Sequence, residues 1–179
     1  MAQKLDAIAM LKADHRKVED LFEKFESARD KPRKKALVLE ICTELCVHAT
    51  IEEEIFYPVC KGEIKEEELL DEAYVEHDSA KVLISELLRS GPDSEFYDAK
   101  VKVLSEMIKH HVKEEEAPGK GLFAQARAAG VDLAAVGEQL AGRKAELLAE
   151  FNGGDLPPPE TRSFTGHELV QGHPVGSPA

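Results

Sequence analysis

Apolar residues along this chain recur at three- and four-residue intervals, the spacing that lines up one face of an α-helix. From about Lys4 to Arg29, the residues Ile8, Leu11, Val18, Phe22 and Phe25 form one stripe. Lys31-Pro32 interrupts it, and Pro32 suits the first turn of a second helix. That helix is expected to reach about Lys61, with Ile41, Leu45, Ile55 and Val59 on its stripe and Gly62 at its end. A third segment, about Lys65 to Ser90, carries Leu70, Ala73, Ala80, Ile84 and Leu87 and stops at Gly91-Pro92. The fourth starts near Ser94, with Asp93 or Ser94 available as a cap. It carries Val101, Leu104 and Ile108, and Pro118 should kink or break it. The period-two alternation of a strand does not occur.

The pattern predicts an all-α chain. Residues 1–130 should form an antiparallel up-down-up-down four-helix bundle, because long helices with short connections lie antiparallel to their neighbours. A short helical piece, Leu122 to Ala129, closes that unit. Residues 131–151, rich in Ala and Leu, form an accessory C-terminal helix packed outside the bundle. The remainder, 152–179, runs through Gly-Gly-Asp-Leu-Pro-Pro-Pro into polar sequence and is expected to be a disordered tail.

Polar residues interrupt the stripes at particular places. His15 falls in the series 8, 11, 15, 18, 22, and both His48 and Glu52 fall in 41, 45, 48, 52, 55. His77 falls in 70, 73, 77, 80, 84, and His111 and Glu115 fall in 101, 104, 108, 111, 115. All four helices therefore direct a His toward one core, and two add a Glu one turn later. Counted from the helix ends, the four His lie at similar depths. Burying ionised carboxylates is costly without compensation, and a pair of cations is the natural compensation. Imidazole and carboxylate without thiolate suit iron or manganese better than tetrahedral zinc. Neutral imidazoles would ligate terminally, while Glu52 and Glu115 could bridge two metals about 3.5–4 Å apart.

Composition narrows the partners. With 23 basic against 35 acidic residues the formal charge is −12, which argues against binding nucleic acid through a basic face. No run approaches the roughly 20 apolar residues that cross a bilayer, and no leader pattern is visible at Met1-Ala-Gln-Lys-Leu-Asp. Three cysteines, Cys42, Cys46 and Cys60, are odd in number and no disulfide framework, and Cys42 and Cys46, one turn apart, read as small buried hydrophobes beside the stripe. The cytoplasm is the expected compartment.

The elements Asp14-His15, His48-Ala-Thr-Ile-Glu52-Glu-Glu-Ile-Phe-Tyr-Pro58, Glu76-His77-Asp78 and His111-Val-Lys-Glu-Glu115 resemble the successive motifs of the hemerythrin (HHE) cation-binding family. The resemblance covers about Leu5 to Phe123. It implies a four-helix bundle around two iron ions, oxo- or hydroxo-bridged, with manganese or zinc as secondary choices. Carried over, His15, His48, His77 and His111 are terminal ligands, and Glu52 and Glu115 bridge. One position departs: oxygen carriers of the family have a fifth His one turn before the third-helix ligand, where this chain has Ala73. Water, Tyr74, Glu19 or Glu76 could fill that place.

The functional expectation is a di-iron protein that binds dioxygen or a related diatomic ligand such as nitric oxide, in sensing, storage or delivery. The alternatives are an enzyme acting on peroxide or nitric oxide, and an iron-handling or interaction module whose protein partner is unknown. Glu53, Glu54, Glu114 and Glu116 read as solvated charges, and His110, rotated about 100° from His111, as a non-ligand.

Overall fold

The structure is a computed structural model that describes residues 6–152, 156–165, 169–170 and 172. Helix α1 spans Ala7–Ser27 and is capped by Asp6, whose carboxylate accepts the Ala9 amide at 2.8 Å. The second rod is continuous but composite: α2, Lys31–Ile51, passes into a π-helical turn at Glu52–Phe56 and then α3, Tyr57–Cys60. Asp30 caps its start through the Arg33 amide, with Pro32 in the first turn. Gly62, at φ 83°, takes the left-handed conformation that lets the chain leave the rod.

Helix α4, Glu68–Arg89, begins three residues later than the pattern suggested. The Gln125 side chain accepts the Lys65 and Glu66 amides and holds the preceding turn open. Helix α5, Tyr97–Glu115, is not capped by Asp93 or Ser94. Asp93 pairs with Lys31 across the bundle end, and the Ser94 hydroxyl accepts the Gly91 amide inside the turn. Both candidate caps are thus already used. Helix α6, Leu122–Ala128, and helix α7, Leu133–Asn152, complete the described helices.

The four long rods pack in a ring, α1 against α2 and α5, and α4 against α2 and α5, giving the expected antiparallel bundle. Helix α7 lies on α1, α2 and the π turn, contributing Leu133, Val136, Leu140 and Leu147 to the core. Two apolar clusters result. One gathers Leu11, Ile51, Phe56, Leu70 and Phe123 with α7, and the other gathers Phe22, Ile41, Ile84, Val101 and Leu104. Burying each such side chain contributes about 1.5–3 kcal/mol. Between the two clusters runs a belt of buried polar groups. Among the described residues no helix is long and apolar enough to cross a membrane.

In the tail, residues 156–165 form no helix or strand, and the amides of Arg162, Ser163 and Phe164 donate to the Asp78 carboxylate on α4. The backbone donors of an irregular segment thereby find acceptors that a disordered chain would seek in water. Other parts of the tail, with His167 and His173, lie outside the described residues.

Candidate metal centre

The belt is built by the six residues singled out on the stripes. His15, His48, Glu52, His77, His111 and Glu115 are all buried, Glu52 completely. Donor atoms of His15, His48, Glu52 and Glu115 lie within 4.8 Å of one another, and so do those of Glu52, His77 and His111. Glu52 belongs to both groups. Glu115 Oε2 reaches toward both sides as well, 3.4 Å from His15 Nε2 and 3.5 Å from His111 Nε2.

Each imidazole turns Nε2 inward and Nδ1 toward a carboxylate. His15 Nδ1 lies 2.8 Å from Glu116, His77 Nδ1 3.0 Å from Glu53, and His111 Nδ1 2.8 Å from Glu76. The fourth, His48 Nδ1, faces Asp14 Oδ2 at 3.6 Å, too far for a direct bond. A ring that donates its Nδ1 proton carries its lone pair on Nε2. Yet His15 and His48 bring their Nε2 atoms to 3.1 Å, and His77 and His111 to 3.2 Å. Neutral rings in this state would meet lone pair to lone pair, so a proton or a cation must sit between them. Two imidazole nitrogens about 2.1 Å from one ion, at right angles around it, stand about 3.0 Å apart. The remaining oxygens point the same way, since the buried atoms Glu52 Oε1 and Glu115 Oε2 have no hydrogen-bond partner. The donor set fits bound metal.

Without a cation the cluster balances its own charge. Burial pushes the Glu52 carboxyl up, but His48 and His77 outweigh it and hold the group well below the usual carboxylate range. Burial likewise opposes charge on His48, yet Glu52 and Asp14 raise it to about 10. His111 is raised to about 9, against its own burial, chiefly by Glu115 and Glu76. These are groups arranged to surround positive charge.

A further side chain enters the cluster from another element. None of Tyr74, Glu19 and Glu76 belongs to the two buried donor groups. Tyr74 packs edge-on against Tyr57, Glu19 pairs with Arg16 on the outside of α1, and Glu76 stands behind His111. Instead the Tyr57 hydroxyl enters the cluster, 3.1 Å from Glu115 Oε1, 3.2 Å from His77 Nε2 and 3.3 Å from Glu52 Oε2. The π turn causes this. At about 100° per residue, an α-helix would carry Tyr57 roughly 140° away from Glu52. A turn closed by the Tyr57 amide on the Glu52 carbonyl, five residues back, brings both to one side. The same shift buries Phe56 and Tyr57 and leaves Ile55, expected on the stripe, only half-buried.

Two of the flanking glutamates also correct the sequence reading. Glu53 is buried against His77 and Lys81, and Glu116 is held by His15 and Arg16. Burial raises both carboxyls, but contacts with His77 and Lys81 lower Glu53, and contacts with His15, Arg16 and Lys12 lower Glu116, each below the ordinary value. The usable signal was the need of each Nδ1 proton for an acceptor; it does not say which neighbouring glutamate faces inward. Glu54 is exposed and paired with Arg143, and His110 is turned outward near Glu114.

On the side away from Tyr57 lies a cavity of about 30 Å³. Val18, Leu45, Ala80, Ile84 and Ile108 line it, together with Asp14, Lys81 and all four inward-facing imidazoles. A water occupies about this volume in the liquid, so the space suits a very small molecule.

Comparison with known proteins agrees with this architecture. The family model described as the hemerythrin HHE cation binding domain matches residues 6–118. A solved relative, an HHE cation-binding domain-containing protein from Mycobacterium kansasii (an Rv2633c homolog), superposes with a TM-score of 0.67 at 22% identity. The superposition covers 82% of this chain and 92% of that one. A protein described as a DNA nickase from Nostoc sp. (strain PCC 7120) is 28% identical over 118 residues, or 66% of this chain. The present chain spans 32% of that relative's length. With a matched region that contains all six inward-facing His and Glu residues, the chain belongs to the hemerythrin HHE cation-binding family.

Proposed function

We propose that the chain holds two iron ions, bridged by oxygen, and binds dioxygen or a related ligand such as nitric oxide beside them. His15 and His48 would hold one ion and His77 and His111 the other, with Glu52 and Glu115 placed to serve both. Tyr57 supplies a further oxygen on the His77 side. When bound, the metal pair supplies redox chemistry and a Lewis-acidic position.

The chain's own contribution is arrangement. Carboxylates behind the rings keep the Nδ1 protons outward and the Nε2 lone pairs inward. The observation that carries the reading is the small apolar cavity against the imidazole edges. Its small volume and mostly apolar lining favour a diatomic over a large substrate. The nicking activity named for the Nostoc relative is not carried over, because the present chain spans 32% of that relative's length.

A second reading, turnover of peroxide or nitric oxide, is favoured by one feature. Tyr57 places a proton-bearing hydroxyl inside the donor cluster, where it can serve a reacting oxygen. Peroxide-consumption and nitric oxide-reduction assays on the iron-loaded protein separate turnover from binding.

The test is iron content after anaerobic loading, followed by stopped-flow mixing with dioxygen and nitric oxide. Two irons per chain and new charge-transfer absorption with oxygen are expected, together with weaker binding in Ala80→Leu, which fills the cavity. Absence of iron uptake overturns the metal assignment. Ligand binding unchanged by Ala80→Leu overturns the cavity assignment.

A further inference from the structure

We infer that the C-terminal part of the chain, beyond the matched family region, is a positioning element of the metal centre: Lys144 and Arg162 each hold, through one carboxylate, one of its two histidine pairs. The inference rests on the metal reading above and extends it to residues far from the site in sequence.

Two of the four carboxylates behind the imidazoles are themselves gripped by cations from this region. Lys144 on α7 pairs with Asp14 Oδ1. That contact leaves Asp14 Oδ2 directed at His48 Nδ1, and Oδ2 is buried with no hydrogen-bond partner. Arg162 Nε lies 2.5 Å from Glu53 Oε2, while Oε1 of the same carboxylate takes His77 Nδ1 at 3.0 Å. In each pair the cation holds one oxygen and the imidazole faces the other.

Arg162 is fixed in place by its own backbone. Its amide lies 2.9 Å from Asp78 Oδ2, the Ser163 hydroxyl 2.6 Å from the same atom, and the Phe164 amide 3.2 Å. Asp78 is fully buried beside His77 on α4. A buried carboxylate with this many donors is a rigid anchor, because each unmade bond would carry a full desolvation cost. Lys81 also contacts Glu53, at 2.7 and 3.0 Å, and lies within 3.3 Å of Asp78. Glu53 is therefore compensated from within the bundle as well. What Arg162 adds is a second fixed direction on the carboxylate.

The two contacts address different halves of the centre. Asp14 serves the group of His15, His48, Glu52 and Glu115, whereas Glu53 serves the group of Glu52, His77 and His111. Partners behind a ligand typically change metal affinity ten- to a hundredfold. Arg162 is half-exposed and shares Glu53 with Lys81, so its effect belongs at the lower end.

The experiment follows ferrous iron release from the 179-residue chain into excess chelator. Wild type should lose its iron slowly. Arg162→Gln should release one equivalent about tenfold faster and leave the other unchanged. Lys144→Gln should speed the other equivalent, the double variant both, and Arg162→Lys should restore most of the slow phase. General destabilisation would instead accelerate both phases together and lower the melting temperature of the metal-free chain in proportion, which overturns the inference. Release rates within twofold of wild type in every variant also overturn it, while the metal reading stands. A wild-type chain that takes up no iron overturns both.

Discussion

The hydroxyl of Tyr57 stands 3.3 Å from Glu52 Oε2, five residues earlier on the same rod, and their backbones are joined by the Tyr57 amide donating to the Glu52 carbonyl. One π turn thus supplies both a carboxylate shared by the two donor groups and the phenol beside it. Tyr57→Phe removes the oxygen and keeps the ring stacked on His77 at 5.5 Å between centroids. The variant should fold. Its ferric form should lack any phenolate charge-transfer band shown by wild type, and iron should leave the His77 side faster. Identical spectra and release rates would remove Tyr57 from the centre.

Glu52 is the donor common to both groups, so its loss should be felt by both ions. Glu52→Ala is expected to keep a helical circular dichroism spectrum while its iron content falls toward zero. Retention of two irons per chain would sink the bridging assignment. A glutamate on the surface, such as Glu54, makes the matching control, since Glu54→Ala should leave iron content unchanged.

Gly121 controls the end of α5. A Cβ built there would stand 2.5 Å from the Glu114 carbonyl oxygen and 2.6 Å from that of Glu115, both backbone atoms that cannot swing aside. Gly121→Ala must push away Glu115, whose carboxylate lies in the buried donor cluster. Destabilisation of about 3 kcal/mol is expected, the upper end for overpacking. For a chain of this size that is a fall of roughly 6–12 °C in the melting temperature, read by thermal denaturation with and without iron. An unchanged melt would show that the turn can relax.

The metal-free chain should lose stability at alkaline pH. His48 has a folded value of about 10 and His111 of about 9, both above the ordinary 6.5. A raised folded value stabilises fully below 6.5, and the contribution disappears as pH climbs through 9 and 10. Glu52 behaves oppositely: its lowered value stabilises above 4.5 and is lost as pH falls. Thermal melts of chelator-treated protein should therefore peak between about pH 4.5 and 6.5. The stabilisation added by iron should instead grow with pH, because ligation requires deprotonated imidazole. A metal-free melt that rises steadily to pH 10 contradicts the charge arrangement.

The three cysteines should be inert in the native protein. All are buried, and burial pushes the Cys46 and Cys60 thiols up to about 12 and Cys42 higher still. Against an ordinary value of 9, a value of 12 leaves roughly a thousandfold less thiolate. Thiol-reagent titration at pH 8 should find almost no reaction until denaturant is added, when three equivalents appear. Rapid labelling of the folded chain would place at least one thiol in an opening segment.

What the amino-acid order determined by itself was whatever depends on the α-helical period. His15, His48, Glu52, His77, His111 and Glu115 could be placed on one core because 3.6 residues per turn is a local property, obeyed wherever the helix is regular. The rods, their antiparallel order and the helix after the bundle were legible for the same reason. Where the period broke, the reading broke with it: the π turn moved Tyr57 into the centre and Ile55 off the stripe. The choice of Glu53 and Glu116 over Glu54 and Glu114 as partners of the imidazoles depended on rod rotation, which packing sets. The contacts of Lys144 with Asp14 and of Arg162 with Glu53 span 130 and 109 residues of chain, and no local pattern encodes a meeting at that distance. Tertiary structure decided them, because a buried carboxylate takes whichever cation and amide the folded chain brings within reach.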